Sequence, residues 1–172
     1  VAFGAQSAVS LIDRYENLLV VQTFSKSHAL AGGRVGFALG SAALIADLSA
    51  VRYSFNPYNL GRLPQLAARA AMEDESYFKR CTSRIIETRQ KTAAALKELG
   101  CALTDSQANF LFVRLPGVSG AASQQGLRDR GILVRRFDKP RIADYLRVTI
   151  GSEADMEAFV AAAREIIEEA SK

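Results

Sequence analysis

The chain has 172 residues, with 22 basic and 18 acidic side chains and a formal net charge of +4. The basic residues are scattered, without a lysine/arginine block or interleaved aromatics, so nothing marks a nucleic-acid-binding face. At 49% apolar composition there is material for a packed core; no apolar run reaches the roughly 20 residues of a membrane-spanning helix, and Cys81 and Cys101 have neither metal nor redox spacing, reading as reduced thiols of a cytoplasmic protein.

In chain order, residues 7–15 read as a short helix with Val9, Leu11 and Ile12 on its apolar side. Residues 18–24 form an apolar run that suits a strand buried on both faces of a largely parallel sheet. Residues 34–39 read as a second buried strand, ended by Gly40, and Ser41 is placed to cap a helix over 42–52. Pro57 pushes Asn56 out of the helical region, so residues 54–59 form an ordered turn. A helix over 60–72 is followed by an acidic interruption at 73–76, and a long amphipathic helix over 77–99 is closed by Gly100. Beyond it, 108–115 reads as a strand alternating across Phe110, Phe112 and Leu115, and 119–130 as a helix closed by Gly131. Residues 132–134 and 145–150 read as strands. Ser152, with Asp155 in the glutamate place of a capping box, opens a last helix over 156–168. Strand–helix alternation followed by a smaller mixed lobe predicts an α/β domain with an α+β domain appended.

One stretch is a poor way to build a core. Lys26 stands between Ser25 and Ser27 directly after the first apolar strand, with Thr23 just before, and Arg34 follows eight residues later after Gly32-Gly33. A lysine amine attacks an aldehyde when neutral, a state favoured by desolvation and by nearby positive charge. The Arg34 fork suits a phosphate, and the Thr23 and Ser25 hydroxyls can donate to the same group. An aldehyde with a phosphate handle describes pyridoxal 5'-phosphate, whose usual anchor is a lysine Schiff base. Lys91 and Lys97, in a helix among charged neighbours, are poor rivals. His28, the one histidine, is not required by such chemistry and reads as a packing or capping residue.

Thr23-Phe24-Ser25-Lys26, with Arg34 in Ala31-Gly32-Gly33-Arg34-Val35-Gly36, resembles the lysine signature of fold-type I aminotransferases. Asn56-Pro57-Tyr58-Asn59, Gln107-Ala108-Asn109-Phe110, and the run from Val134 to Ile142 leading into Tyr145-Leu146-Arg147-Val148-Thr149-Ile150-Gly151 follow in family order. The last run resembles histidinol-phosphate aminotransferases more than the aspartate or alanine enzymes. The resemblance covers essentially the whole chain but reaches only the carboxy-terminal half of the family pattern. Val1-Ala2-Phe3 resembles the segment just after the aspartate that pairs with the cofactor's ring nitrogen; the glycine-rich phosphate loop and the stacking aromatic precede it. Neither Asp13 nor Glu16 is a convincing substitute for that aspartate.

The resemblance implies that residues 1–76 end a large cofactor-binding domain, 77–99 bridge the domains, and 100–172 form the small carboxy-terminal domain. It implies transamination between histidinol phosphate and 2-oxoglutarate in histidine biosynthesis by a cytoplasmic homodimer, with these residues alone inactive. An aromatic aminotransferase, a decarboxylase on the same scaffold, or a non-catalytic association fragment are the alternatives. Lys26 is then the Schiff-base lysine and proton shuttle. Arg147, costly inside an apolar strand unless paired, clamps an α-carboxylate with Asn109 beside it. Arg135 grips the substrate phosphate, Arg136 facing the other way along the extended segment. Tyr58 and Asn59 reach the neighbouring subunit's site.

Overall fold

The computed structural model describes residues 2–172, so the start of the Val1-Ala2-Phe3 resemblance lies outside the described residues. The chain divides into two compact units, Val1–Thr82 and Ser83–Lys172. Helices and sheets alternate as an α/β chain, although every strand pair among the described residues is antiparallel.

In the first unit, Ser7 caps a single 3-10 turn, Ala8–Leu11, its hydroxyl accepting from Val9 N at 3.2 Å. The helix expected over 7–15 stops there because Asp13, Arg14, Tyr15, Glu16 and Asn17 follow consecutively and are all exposed, leaving no apolar stripe to bury. Strand β1 (Val20–Thr23) pairs with β2 (Gly36–Leu39), Val20 opposite Leu39 and Thr23 opposite Gly36. This corrects the reading that both strands are buried: Val21 is 62% exposed and β2 is exposed throughout, and the pair is antiparallel. An apolar run reports a preference for cover, and burial needs neighbours, which this two-stranded ribbon lacks within its unit. What it has is a small core of Phe24, Val35 and Ala68, with Leu30 and Leu60 packed against them.

Helix α1 (Ala42–Phe55) starts where expected, with Ser41 Oγ accepting from Leu44 N at 3.3 Å, and runs on to Phe55, where Asn56-Pro57 ends it. Helices α2 (Arg62–Glu73) and α3 (Glu75–Glu98) are separated by Asp74 alone. Its carboxylate accepts from Tyr77 N and Ser76 Oγ, both at 3.0 Å, satisfying the first turn of α3. At the other end Gly100, at φ +76°, lets Cys101 N reach Leu96 O and Gly100 N reach Lys97 O, a Schellman closure. The division between the two units falls within α3.

The second unit is a four-stranded antiparallel sheet in the order β3-β4-β6-β5, formed by β3 (Ala102–Leu103), β4 (Phe110–Arg114), β5 (Arg135–Arg136) and β6 (Leu146–Thr149). Helices α4 (Gly120–Asp129) and α5 (Glu153–Ala170) share its core, where Leu111, Val113, Leu127, Leu146, Val148, Phe159 and Ala163 are buried with Leu96 of α3. In β4 the buried alternation is Leu111 and Val113, not the expected Phe110 and Phe112, which take the opposite face. Four apolar residues in a row satisfy either phase of a two-residue period. The short strand expected at 132–134 pairs later, at Arg135–Arg136, because the Val134 carbonyl is turned to α4 and accepts from Gln124 Nε2 at 3.1 Å. Ser152 and Asp155 form the full reciprocal capping box.

Candidate active site

In the first unit the expected residues gather around the connection between β1 and β2. Thr23 ends β1, and Phe24, 3% exposed, anchors the chain in the core, with its N–H on Val35 O at 3.1 Å. Lys26 stands exposed in the turn that follows, with Ser25 half-buried before it. The desolvation expected around this amine is therefore not supplied by the unit. The turn closes through Ala29 N to Lys26 O at 3.2 Å and Leu30 N to Phe24 O at 3.0 Å. Ala29 (φ 54°) and Arg34 (φ 53°) are the two non-glycine residues at positive φ among the described residues, and both lie within this connection, after Lys26. Side-chain-bearing residues hold such angles only where their surroundings over-determine them, and such positions cluster at functional sites. Arg34 is exposed, its Nη1 donating to Ala31 O at 3.2 Å, which orients the guanidinium.

Two hollows flank this connection. One, of about 310 Å³, is lined by Thr23, Ser27, His28, Phe37 and Phe78 among others. The other, of about 680 Å³, brings Arg34 together with Asn59, Gln65, Ser49 and Arg52, with no acid among its lining residues. It is electrostatically open to an anion, and Arg52 is a cation in it that the sequence reading did not single out. Tyr58, next to Asn59, is 93% exposed.

In the second unit, Arg135 and Arg147 are direct partners across β5 and β6 and so share one face of the sheet. Phe112 is the partner of Arg147 on the other side, which places it on the same face, stacked on Tyr145 with centroids 4.8 Å apart. The Arg147 guanidinium lies over the Phe110 and Phe137 rings at 5.6 and 5.9 Å, and that of Arg135 over Phe137 at 5.4 Å. Each lies against a ring face and, among the described residues, has no carboxylate partner, which leaves its N–H fork for an incoming anion. Arg136 is turned away, donating to Ala143 O at 3.2 Å with Asp138 at 3.5 Å. Asn109 is half-buried at the head of β4, its carbonyl accepting from Ile150 N at 2.9 Å. Arg89, buried on α3, donates to the carbonyl of the preceding residue, Ala108, at 2.6 Å. The aromatic platform beneath the two arginines was missed in the sequence; its signal was the alternative phase of the β4 alternation.

A lysine-bearing turn with a flanking arginine, and a mixed lobe presenting paired arginines, carry the organisation of one enzyme class. The profile described as aminotransferase class I and II matches residues 1–162, and the chain belongs to that family. Within it, the chain is 51% identical over 165 residues to histidinol-phosphate aminotransferase 2 of Rhizobium meliloti, covering 96% of this chain and 47% of that protein. It thus spans about half the length of the curated relatives it matches. The crystal structure of histidinol-phosphate aminotransferase from Sinorhizobium meliloti in complex with pyridoxal-5'-phosphate is 29% identical with a TM-score of 0.77, over 93% of this chain and 43% of that one. The enzyme of the same name from Clostridium acetobutylicum shares the fold, with a TM-score of 0.85 at 23% identity over 95% of this chain and 49% of that one.

Proposed function

We propose that these residues supply the lysine, the phosphate grip and the substrate arginines of a pyridoxal-phosphate-dependent aminotransferase that converts histidinol phosphate and 2-oxoglutarate to imidazole-acetol phosphate and glutamate in histidine biosynthesis. The observation that carries the reading is the Lys26 turn, closed at Ala29 and followed by Arg34, both at positive φ, in a chain 51% identical to a histidinol-phosphate aminotransferase. The donor types suit the cofactor, an amine for its aldehyde at Lys26 and the Thr23 and Ser25 hydroxyls with Arg34 for its phosphate, although Thr23 and Arg34 line different hollows in this unit. Bound there, pyridoxal phosphate supplies an electron sink for chemistry at the substrate's α-carbon. Lys26 takes the proton from that carbon and returns it to complete the transfer.

The arginine pair suits a reaction in two halves. Glutamate and 2-oxoglutarate present an α-carboxylate, which Arg147 grips with Asn109 beside it; histidinol phosphate presents a phosphate, which Arg135 takes. Two forks side by side over Phe137 let one face serve both substrates in turn. Residues 1–76 act as the end of the large domain, 77–99 as the bridging helix and 100–172 as the small domain. The enzyme works as a cytoplasmic homodimer in which Tyr58 and Asn59 reach the neighbouring site; the 93% exposure of Tyr58 supports that role. By themselves these residues turn nothing over, because the acids ahead of Lys26 are Asp13 and Glu16, both exposed.

The test is borohydride trapping of pyridoxal phosphate on the purified chain, which captures even transient attachment, followed by mass mapping. Attachment at Lys26, absent in Lys26→Ala, is expected; labelling spread evenly over the lysines overturns the assignment. Turnover on histidinol phosphate, phenylalanine and threonine phosphate by the whole enzyme that carries this sequence separates the substrate reading from an aromatic aminotransferase or a decarboxylase.

A further inference from the structure

We propose that His28 is a positioning residue for Lys26, the clamp that fixes the turn on which the lysine stands; the proposal rests on the assignment of Lys26 above. The turn has a firm anchor at its start, where Phe24 is buried in the core with Val35 and Ala68. On its far side, Ser25, Lys26 and Ser27 offer nothing apolar, and the next aliphatic anchor is Leu30. His28 fills that gap. Its ring stacks on Phe78 of α3, centroids 4.6 Å apart at 24°, and leans on Phe24 at 4.7 Å and 45°. The imidazole is thus held between the residue that enters the turn and the first turns of a long helix.

Two further restraints act on the same ring and turn. The Ser27 hydroxyl lies 3.1 Å from His28 Nδ1, which fixes the ring's rotation. Directly after it, Ala29 adopts φ 54° while its N–H closes the turn onto Lys26 O. An alanine holds that angle only when its neighbours enforce it, and the stacked ring next to it is the enforcing group. Among the described residues no hydrogen bond or ion pair holds the Lys26 amine, so the place of that amine is set by the backbone beneath it, and the backbone is set by His28. Burial against the rings lowers the His28 pKa from its ordinary value, so the ring is neutral near pH 7 and stacks without adding charge beside the lysine. Packing is what the sequence suggested for His28; placing Lys26 is the additional role.

The experiment compares the chain with its His28→Ala, His28→Phe and Phe78→Ala forms. Amide hydrogen exchange over residues 24–30, without cofactor, reads the turn directly. Borohydride trapping of pyridoxal phosphate reads the lysine, with Lys91 and Lys97 as internal references. In His28→Ala, exchange at Ala29 and Leu30 accelerates about tenfold or more with the rest of the chain unchanged, and the ratio of Lys26 to Lys91 labelling falls by about tenfold or more. Phe78→Ala, which removes the opposite side of the stack without touching the loop, moves both readouts the same way. His28→Phe, which keeps a flat ring, restores both to within about twofold. Unchanged exchange and an unchanged labelling ratio in both alanine variants, or failure of phenylalanine to rescue, overturns the proposal. If the wild-type chain shows no preference for Lys26 over the reference lysines, the assignment of Lys26 fails, and with it the proposal; the exchange arm then reports separately whether His28 fixes the turn.

Discussion

Arg135 and Arg147 face each other directly across β5 and β6, and both guanidinium groups lie over the single ring of Phe137. Like charges in directly opposed positions oppose sheet formation, so the pairing weakens the lobe unless an anion joins it. Arg147→Gln or Arg135→Gln is expected to raise the urea midpoint of the second unit at low salt, by about 0.2–1 kcal/mol in stability. Added phosphate should stabilise the wild-type chain and lose that effect in both variants. A lower midpoint in the glutamine variants would mean that the pair is structural.

Gly120 opens α4 with its N–H on Asp144 Oδ1 at 2.9 Å, and a Cβ there would fall on the backbone of Ala143 and Asp144. Backbone cannot rotate aside as a side chain can. Gly120→Ala is therefore expected to cost about 1–3 kcal/mol or more by urea unfolding. Gly117→Ala meets nothing within 4 Å and adds only the strain of its φ of +70°, making it the milder reference.

The capping box at the start of α5 predicts a pH dependence with a definite sign. Two hydrogen bonds, from the Ser152 hydroxyl first and then the Ser152 N–H, hold the Asp155 carboxyl below its ordinary value. A lowered folded-state pKa contributes stability that is present above the unfolded value and lost as pH falls through the folded one. Ser152→Ala should cost about 1 kcal/mol at neutral pH. That penalty should shrink below about pH 4, where the unfolded aspartate takes up its proton, and urea midpoints across that range give the measurement.

His28 should add a second slope at higher pH. Its pKa is lowered by burial, so the unfolded chain binds the proton first, and stability falls as pH drops from the ordinary histidine value near about 6.5 towards the folded one. As the one histidine in the sequence, it owns the interval above the carboxylates. Thermal midpoints between about pH 5 and 7 should therefore decline with acid in the wild-type chain and stay flat in His28→Phe.

Much of this organisation is legible in the residues. Ser41 and Ser152 cap helices, and Gly100 and Gly131 end them, because capping is settled within a few residues of chain. What is not legible is set by neighbours distant in sequence. Four consecutive apolar residues in β4 fit either face, and only the partners Arg147 and Leu146 on β6 decide which face is buried. The exposure of β1 and β2 likewise depends on what lies beside them. Arg52 gave no signal because a cation on a helix is ordinary until the fold sets it along the Arg34 groove.

The two-stranded ribbon that carries the lysine has a bearing on how the chain behaves in a tube. Each of its strands has one partner among the described residues, so each outer margin offers a row of N–H and C=O groups to any extended segment that drifts past. With Val21, Phe37 and Leu39 in contact with water beside those margins, concentrated solutions should thicken by strand addition at β1 and β2. A lysine placed at Val21 would be the simplest way to keep the sample clear.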